Sequence, residues 1–553
     1  MNWLVRRSAT LLGALGSPAH TGYVLAKQGV LRPLRPDKLL RIALAWRRWG
    51  LTLPLAFAIG AVRHPDRPAV IDERGALSYA EIAVRTTRLA HALRGRLRGG
   101  ERVGVLCRNH HELVETTVAA AKIGVDVVLL NTGLSPHQVV SVLAEQRVGV
   151  LVVDDEFTAE LTELLERPAD AGVSRLPDVD VVLAWTEGST SRATLEHLIA
   201  SSPNRRLPRP ARHSRLVVLT SGTTGTPKGA RRPDPPGLSP AATILSRVPL
   251  RAGERMLVGA PLFHTWGVAA LQLGLVLGST LVLRRKFDPQ QALQLLQRHR
   301  CTSMFAVPVM LQRILELPAE VHARYDRGAL RVVASSGSAL PADLATRFQR
   351  EFGPVLYNFY GSTEVSWVSI ATPEDLRTAP GTAGRPPRGT TVRILDADGA
   401  PVRRGSTGRI FAGNDMLFEG YTSGTRREVR DGLMATGDLG RIDSAGRLFV
   451  VGREDDMIVS GGENVYPKET EDAIGALPEI ADVAVVGVDD ADFGQRLAAY
   501  VVLREPGALD AEGLRDRVRD RLPKFALPRD VVFVDSLPRN ATGKVVTREL
   551  KRS

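Results

Sequence analysis

At 553 residues the chain holds roughly three to four domains' worth of folded mass at about 150 residues each. Its 44% apolar and 24% charged residues are ordinary globular usage and exclude wholesale disorder, a fibre or a coiled coil. Lys and Arg number 73 against 60 Asp and Glu, a net charge of +13, and the excess is concentrated at one end. Residues 1–50 carry Arg6, Arg7, Lys27, Arg32, Arg35, Lys38, Arg41, Arg47 and Arg48 against Asp37 alone.

That basic extension also holds Trp3, Trp46 and Trp49, three of the six tryptophans. Indoles favour the headgroup zone and cations the lipid charge, so peripheral membrane contact fits; a solvated arm, or a helix packed on its own domain, fits at least as well. No RNP, zinc-finger or basic-zipper pattern occurs, and nucleic acid is not an expected partner. The two cysteines, Cys107 and Cys301, cannot build a disulfide framework or a cysteine-rich metal site. The longest apolar stretch, Leu51 to Val62, contains Pro54 and falls short of the roughly 18 residues needed to span a bilayer.

Beyond the extension, RVGVLC, ELVETTVAAAKIG, DVVLLN, SPHQVVSVLAEQ and VGVLVVD alternate strand and helix patterns, as βαβ units do. A Pro- and Arg-rich connector, Arg205 to Arg212, leads into the apolar strand LVVLT at Leu216 to Thr220. From about Thr391 the texture changes to short strands between glycine turns, which predicts an antiparallel region closing a large α/β domain. The last hundred residues predict a small α/β domain: a helix at KETEDAIGAL, strands DVAVVGV and LAAYVVL, a helix near Glu512 to Leu522 and a final strand VVFVD.

Directly after LVVLT comes TSGTTGTPKGA, Thr220 to Ala230. Gly222, Gly225 and Gly229 permit close backbone approach, Thr220, Ser221, Thr223 and Thr224 offer hydroxyls, and Lys228 adds a point charge, a combination suited to polyphosphate. A plain Gly/Thr surface loop has the same composition. The spacing is not Walker A, because Pro227 precedes the lysine and Gly229 follows it. Pro227 biases Thr226 to an extended conformation, so Lys228 is expected on extended chain and not at a helix start.

This loop resembles the phosphate loop of the adenylate-forming superfamily, which includes acyl-CoA synthetases, aryl-CoA ligases, luciferases and peptide-synthetase adenylation domains. The resemblance continues in order through YNFYGSTE (Tyr357 to Glu364), ATGDLG (Ala435 to Gly440), GREDDMIVSGGENVYPKETE (Gly452 to Glu471) and PRNATGKVVTREL (Pro538 to Leu550). It implies an α/β fold with a large multi-subdomain N-terminal domain, containing parallel sheets and a β-barrel-like region, and a small mobile C-terminal α/β domain. The expected divisions are 1–50, 51–453 and 454–553.

Carried over residue by residue, the resemblance implies that Tyr360 stacks on adenine, that Gly361 shares its turn, and that Thr363 meets the α-phosphate. Glu364 would ligate Mg²⁺, Asp438 and Arg453 would hold the ribose, and the backbone of Gly337 would pass close to nucleotide and acyl carbonyl. Lys544 resembles the mobile catalytic lysine, Asp455 the hinge, and Gly461 and Gly462 the backbone beside a pantetheine channel. His264, in PLFHTWG, resembles the residue that gates the acyl site with a neighbouring aromatic. The run LQLGLVLGSTLVL after it either walls an acyl tunnel or is an ordinary buried helix and strand.

The expected activity is fatty-acid-CoA ligation through acyl-AMP, with ATP, Mg²⁺ and CoA, on a medium- or long-chain acid; the alternative is a ligase loading a carrier-protein thiol. A P-loop NTPase built on Lys228 and a silent lipid binder are the readings from other classes. Cytosolic nucleotide and the reduced cysteines imply a cytoplasmic location, and the glycine-broken residues 1–20 are discounted as an export signal.

Overall fold

The computed structural model describes residues 18–173, 178–188, 190–220, 228–233, 235, 237–460, 463–490, 494–540 and 543–550. Three helices open the described chain: α1 (Pro18–Lys27), α2 (Pro36–Trp49) and α3 (Leu53–Arg63). The predicted βαβ alternation follows. Strands Arg102–Leu106, Val127–Leu129 and Val148–Val153 are parallel neighbours in a six-stranded sheet, with helices His111–Lys122 and Pro136–Glu145 between them. All six residues of Val148–Val153 are buried, as a strand covered on both faces requires. Ser135 caps its helix reciprocally with Gln138, which is why helix begins at Pro136.

A second sheet has eight strands, whose parallel centre runs through Thr280–Leu283, Arg255–Val258, Ser303–Ala306, Val332–Ser335 and Leu356–Tyr360. One continuous apolar core joins the two sheets. The glycine-turn region forms the expected antiparallel sheet from Thr391–Leu395, Gly408–Gly413, Val429–Arg430, Leu433–Ile442 and Leu448–Arg453, and it curls into a half-barrel. The smaller C-terminal α/β domain has its own core, with Ile458, Ile474, Val485, Leu497, Leu514 and Val518 among its members. Its strands Ile480–Asp490 and Gly494–Leu503 are longer than the apolar runs that predict them, because the pairing continues through polar residues to Asp490 opposite Gly494.

A buried polar network pins the large domain internally. His110 sits between Asp154 (2.8 Å) and Glu112 (2.6 Å), and His111 Nδ1 lies 2.6 Å from Asp72. Glu112 also pairs with Arg74, and Glu115 with Arg85. Burial works against a charged His110, but the two carboxylates prevail and raise its pKa to about 9. Cys107, His110 and Asp154 lie within mutual reach, and with His110 charged the group is an ion network. Among the described residues no helix is long and apolar enough to cross a membrane.

Candidate active site

The two domains enclose a cleft of about 2320 Å³. Lys228, His264, Gly337, Tyr360, Gly361, Thr363, Glu364, Asp438, Arg453, Asp455 and Lys544 all line it. Of the remaining expected residues, Ser221, Gly222, Thr223, Thr224, Gly225, Gly461 and Gly462 lie outside the described residues, as does the side chain of Thr220.

Tyr360 ends the edge-proximal strand Leu356–Tyr360, and its hydroxyl donates to Asp438 Oδ2 at 2.6 Å. Asp438 and Arg453 are register partners on adjacent antiparallel strands, so sheet pairing sets a carboxylate opposite a guanidinium. Thr436 Oγ1 accepts from the Asp438 amide at 3.1 Å and secures the turn between them. Burial raises the Asp438 pKa, opposed by the Tyr360 hydrogen bond and by the charges of Arg453, Lys544 and Arg427. Lys544 reaches this group from the C-terminal domain. Its pKa is lowered by desolvation and by Arg453, against the attraction of Asp456 and Asp438. The turn bearing it packs on the large domain, where a Cβ on Gly543 would fall 2.6 Å from Val309.

Glu364 is buried, with Oε2 accepting from Ser362 at 2.8 Å and Oε1 from the Tyr421 hydroxyl at 2.6 Å. Thr363 Oγ1 shares a 2.9 Å hydrogen bond with Thr265 Oγ1. The turn carrying these residues depends on Gly361, where a Cβ would come 1.9 Å from the Ser366 carbonyl oxygen. Gly337 follows strand Val332–Ser335 with φ +95°, a conformation that favours glycine. One carboxylate beside hydroxyls, facing space for phosphate oxygens, fits Mg²⁺, which binds through a carboxylate and substrate phosphates.

Lys228 is the first residue of strand Lys228–Arg231, antiparallel to Leu216–Thr220, so the lysine does leave on extended chain. The amide of Thr422 donates to the Gly229 carbonyl at 2.7 Å and Ala230 bridges Tyr421, drawing the Tyr421 ring to 5.9 Å from Lys228 Nζ.

His264 caps the helix Thr265–Val276, and burial alone lowers its pKa to about 4, so it is a neutral imidazole at neutral pH. Trp266 is fixed: its indole N–H donates to the Ala306 carbonyl at 3.0 Å while the ring packs against Phe305 and Phe359. Of the apolar run at residues 271–283, Gln272, Leu273, Leu275 and Val276 line the cleft, while Leu271, Leu277, Leu281 and Val282 are buried in the core.

Four cleft residues carry no expectation from the sequence. Tyr421 holds Glu364. Arg427 is carried above its ordinary pKa, against burial, by Glu364, Tyr421 and Asp455. Thr265 is paired with Thr363. Arg232 extends Nη1 to the Thr363 carbonyl at 3.4 Å, and burial brings its pKa down to about 10 despite nearby Glu364. Arg232 stands in RRPDPP, just after TSGTTGTPKGA, and no motif named it.

A strand edge, a half-barrel turn and a lysine from a second domain thus converge on one cleft, and comparison with known proteins places the arrangement. The family model described as AMP-binding enzyme matches residues 57–422, and that of the AMP-binding enzyme C-terminal domain matches 469–544. The chain belongs to the AMP-binding enzyme family and is an AMP-forming ligase of the adenylate-forming superfamily.

It is 33% identical over 494 residues to a feruloyl-CoA synthase from Amycolatopsis sp, covering 88% of this chain and 96% of the relative. Among solved structures it is similar to the o-succinylbenzoate CoA synthetase of Bacillus subtilis in complex with its acyl-adenylate OSB-AMP (TM-score 0.76, 28% identity, 90% and 98% coverage). It is equally similar to ATP-bound MatB from Rhodopseudomonas palustris (TM-score 0.76, 28% identity, 90% and 98% coverage). The acids these names give are aromatic, and none names a fatty acid.

Proposed function

We propose that the protein is an ATP-dependent fatty-acid-CoA ligase: carboxylate and ATP give acyl-AMP and pyrophosphate, and the CoA thiol then displaces AMP. The observation that carries the aliphatic substrate is the wall of the cleft beyond His264. Leu53, Leu55, Ala56, Ile59, Ile244 and Leu273 line it, flexible apolar side chains suited to a methylene chain.

At the reacting end, Lys544 approaches the carboxylate and α-phosphate and offsets the repulsion between two anions as charge develops. Asp438 and Arg453 hold the ribose, with Tyr360 fixing Asp438 and presenting its ring to adenine. Thr363 and Lys228 meet phosphate oxygens. Glu364 would hold Mg²⁺, which when bound neutralises phosphate charge. The neutral His264 closes the acyl end without adding a charge beside the carboxylate.

CoA as acceptor is supported by the CoA ligases among the relatives; the alternative acceptor is a carrier-protein thiol. Asp455, exposed in the short helical turn Glu454–Asp456 between the domains, is the proposed hinge. Asp455→Pro is expected to keep acyl-AMP formation and lose thioester formation. Pyrophosphate release scored across aliphatic acids of increasing length, ferulate and o-succinylbenzoate tests the substrate; preference for either aromatic acid refutes the fatty-acid reading. Free CoA added to the same mixture must yield acyl-CoA, and failure to do so transfers the reading to the carrier-protein ligase.

A further inference from the structure

Helix α2 is inside out. At 100° per residue, Leu39, Leu40, Ala43, Leu44, Trp46 and Arg47 share one side, and all six are exposed, Leu40 at 62% and Leu44 at 59%. The side turned toward α3 carries Lys38, Ile42, Ala45 and Trp49, which are half-buried, and no residue of α2 is fully buried. Polar ties hold this inner side: Lys38 Nζ donates to the Arg63 carbonyl at 3.3 Å, and Arg48 donates to the Leu207 carbonyl. A helix folding only for its own domain would turn its leucines inward.

The exposure is concentrated there. Of eleven large exposed hydrophobic residues among those described, Tyr23, Leu31, Leu39, Leu40, Leu44 and Trp46 fall within residues 18–49. Cations surround the patch: Lys27, Arg32, Arg35, Arg41 and Arg47 are exposed, while Asp37 is engaged by Arg35 at 3.1 Å. Arg32, Lys38, Arg63 and Arg67 crowd His64 and, after burial, help lower its pKa. The face is therefore largely apolar, with Arg47 among its leucines and further cations on the neighbouring chain, a composition that suits the headgroup zone of an anionic leaflet.

The patch also borders the cleft. Leu31, Leu39 and Trp46 line the cavity as well as being exposed, together with Arg32, Leu34 and Ile42. The same cavity is lined by Leu53, Ile59 and Leu273 and by His264 and Gly337. The family match begins at residue 57, so α2 lies outside it.

We infer that the outward face of α2 docks on an anionic bilayer and sets the bordering edge of the cavity against it, so that the acid enters from the membrane without crossing water. The route of the acid rests on the proposed fatty-acid reading; the docking does not.

The test uses the full chain with vesicles of phosphatidylcholine alone or containing about 30% phosphatidylglycerol. Co-flotation is expected with the anionic vesicles, weakening toward about 1 M salt as charges are screened. Leu40→Asp/Leu44→Asp alters two exposed residues that do not line the cavity, and is expected to cut partitioning on the order of a hundredfold with unchanged circular dichroism. Arg41→Glu/Arg47→Glu is expected to remove the preference for phosphatidylglycerol. Docking is overturned if the full chain ignores anionic vesicles, if the leucine variant floats like the parent, or if sedimentation shows that the patch instead closes a dimer which the leucine variant dissociates.

For the route, the leucine variant should activate a short, water-soluble acid at the parent's rate while losing most activity on a long acid embedded in vesicles. Equal loss on both, or on neither, overturns the route. If the parent activates no aliphatic acid at all yet still floats, the fatty-acid reading fails and the docking stands.

Discussion

The network around His110 and the cluster around Asp438 are built from similar groups, yet only one of them faces a space that a ligand could fill. His110 is closed between Asp154 and Glu112, Glu112 takes Arg74, and Glu115 takes Arg85, all within the large domain. Asp438, Arg453, Glu364 and Lys544 line an open cleft, and Lys544 comes from the other domain. Titratable groups satisfied among themselves make structure; groups satisfied in part and turned to a cavity make a site. Altering the first should cost stability and spare catalysis, and altering the second should do the reverse.

The largest effect is expected at the closed network. His110→Ala leaves two buried carboxylates without their shared cation, which costs roughly 3 to 5 kcal/mol of stability, read by urea unfolding. The sign with pH is fixed by the raised pKa. His110 stabilises fully below its ordinary value of 6.5, and that contribution is lost as pH climbs through about 9. The stability gap between parent and variant should therefore be wide at pH 6 and narrow above pH 9. A gap that widened with pH would show His110 to be neutral in the folded protein. Turnover by the folded fraction should be unchanged.

Lys544→Ala comes next. Losing a preorganised cation at the point where charge develops costs about 2.7 to 4 kcal/mol, a rate loss on the order of 10² to 10³ in acyl-AMP formation. Thioester formation from supplied acyl-AMP should survive far better, because that step no longer joins two anions. Equal loss in both half-reactions would remove Lys544 from its proposed role, and unfolding curves should match the parent's.

Both clusters differ in how far the sequence discloses them. The βαβ alternation was legible because burial on both faces writes short continuous apolar runs into strands such as Val148–Val153, set apart by helix-length segments. The cleft residues Tyr360, Glu364, Asp438, Arg453 and Lys544 sit in ordered motifs, so the resemblance named them and the fold assembled them. Tyr421, Arg427 and Arg232 were not legible in the same way. They enter through the pairing of the Lys228–Arg231 strand with a segment nearly two hundred residues later, at Ala230 and Tyr421, and no local spacing encodes that bridge. The basic, Trp-bearing extension was visible as composition, but the direction in which its leucines point depends on how α2 seats against α3.

The smallest effect is the sharpest probe of the open cluster. The Tyr360 hydroxyl donates to Asp438 Oδ2, and Tyr360→Phe removes that bond while leaving the ring. Asp438 then keeps its opposition to Arg453 through strand pairing but loses the donor that fixes Oδ2. A hydrogen bond to a charged group contributes about 1.5 to 3 kcal/mol, and only the part that orients Asp438 reaches the nucleotide, so the KM for ATP should rise on the order of tenfold with kcat little changed. The same bond opposes the burial that raises the Asp438 pKa. Its loss should push that pKa further up, moving the acid limb of the kcat/KM profile for ATP toward neutral pH, since the ionised carboxylate is the form that accepts from ribose hydroxyls. An unchanged KM together with an unmoved acid limb would mean that the hydroxyl does not position Asp438 for the nucleotide and that Tyr360 acts through its ring alone. A raised KM with the limb in place would mean that the hydroxyl serves nucleotide binding without setting the ionisation of Asp438, and would separate the two roles assigned to that one bond.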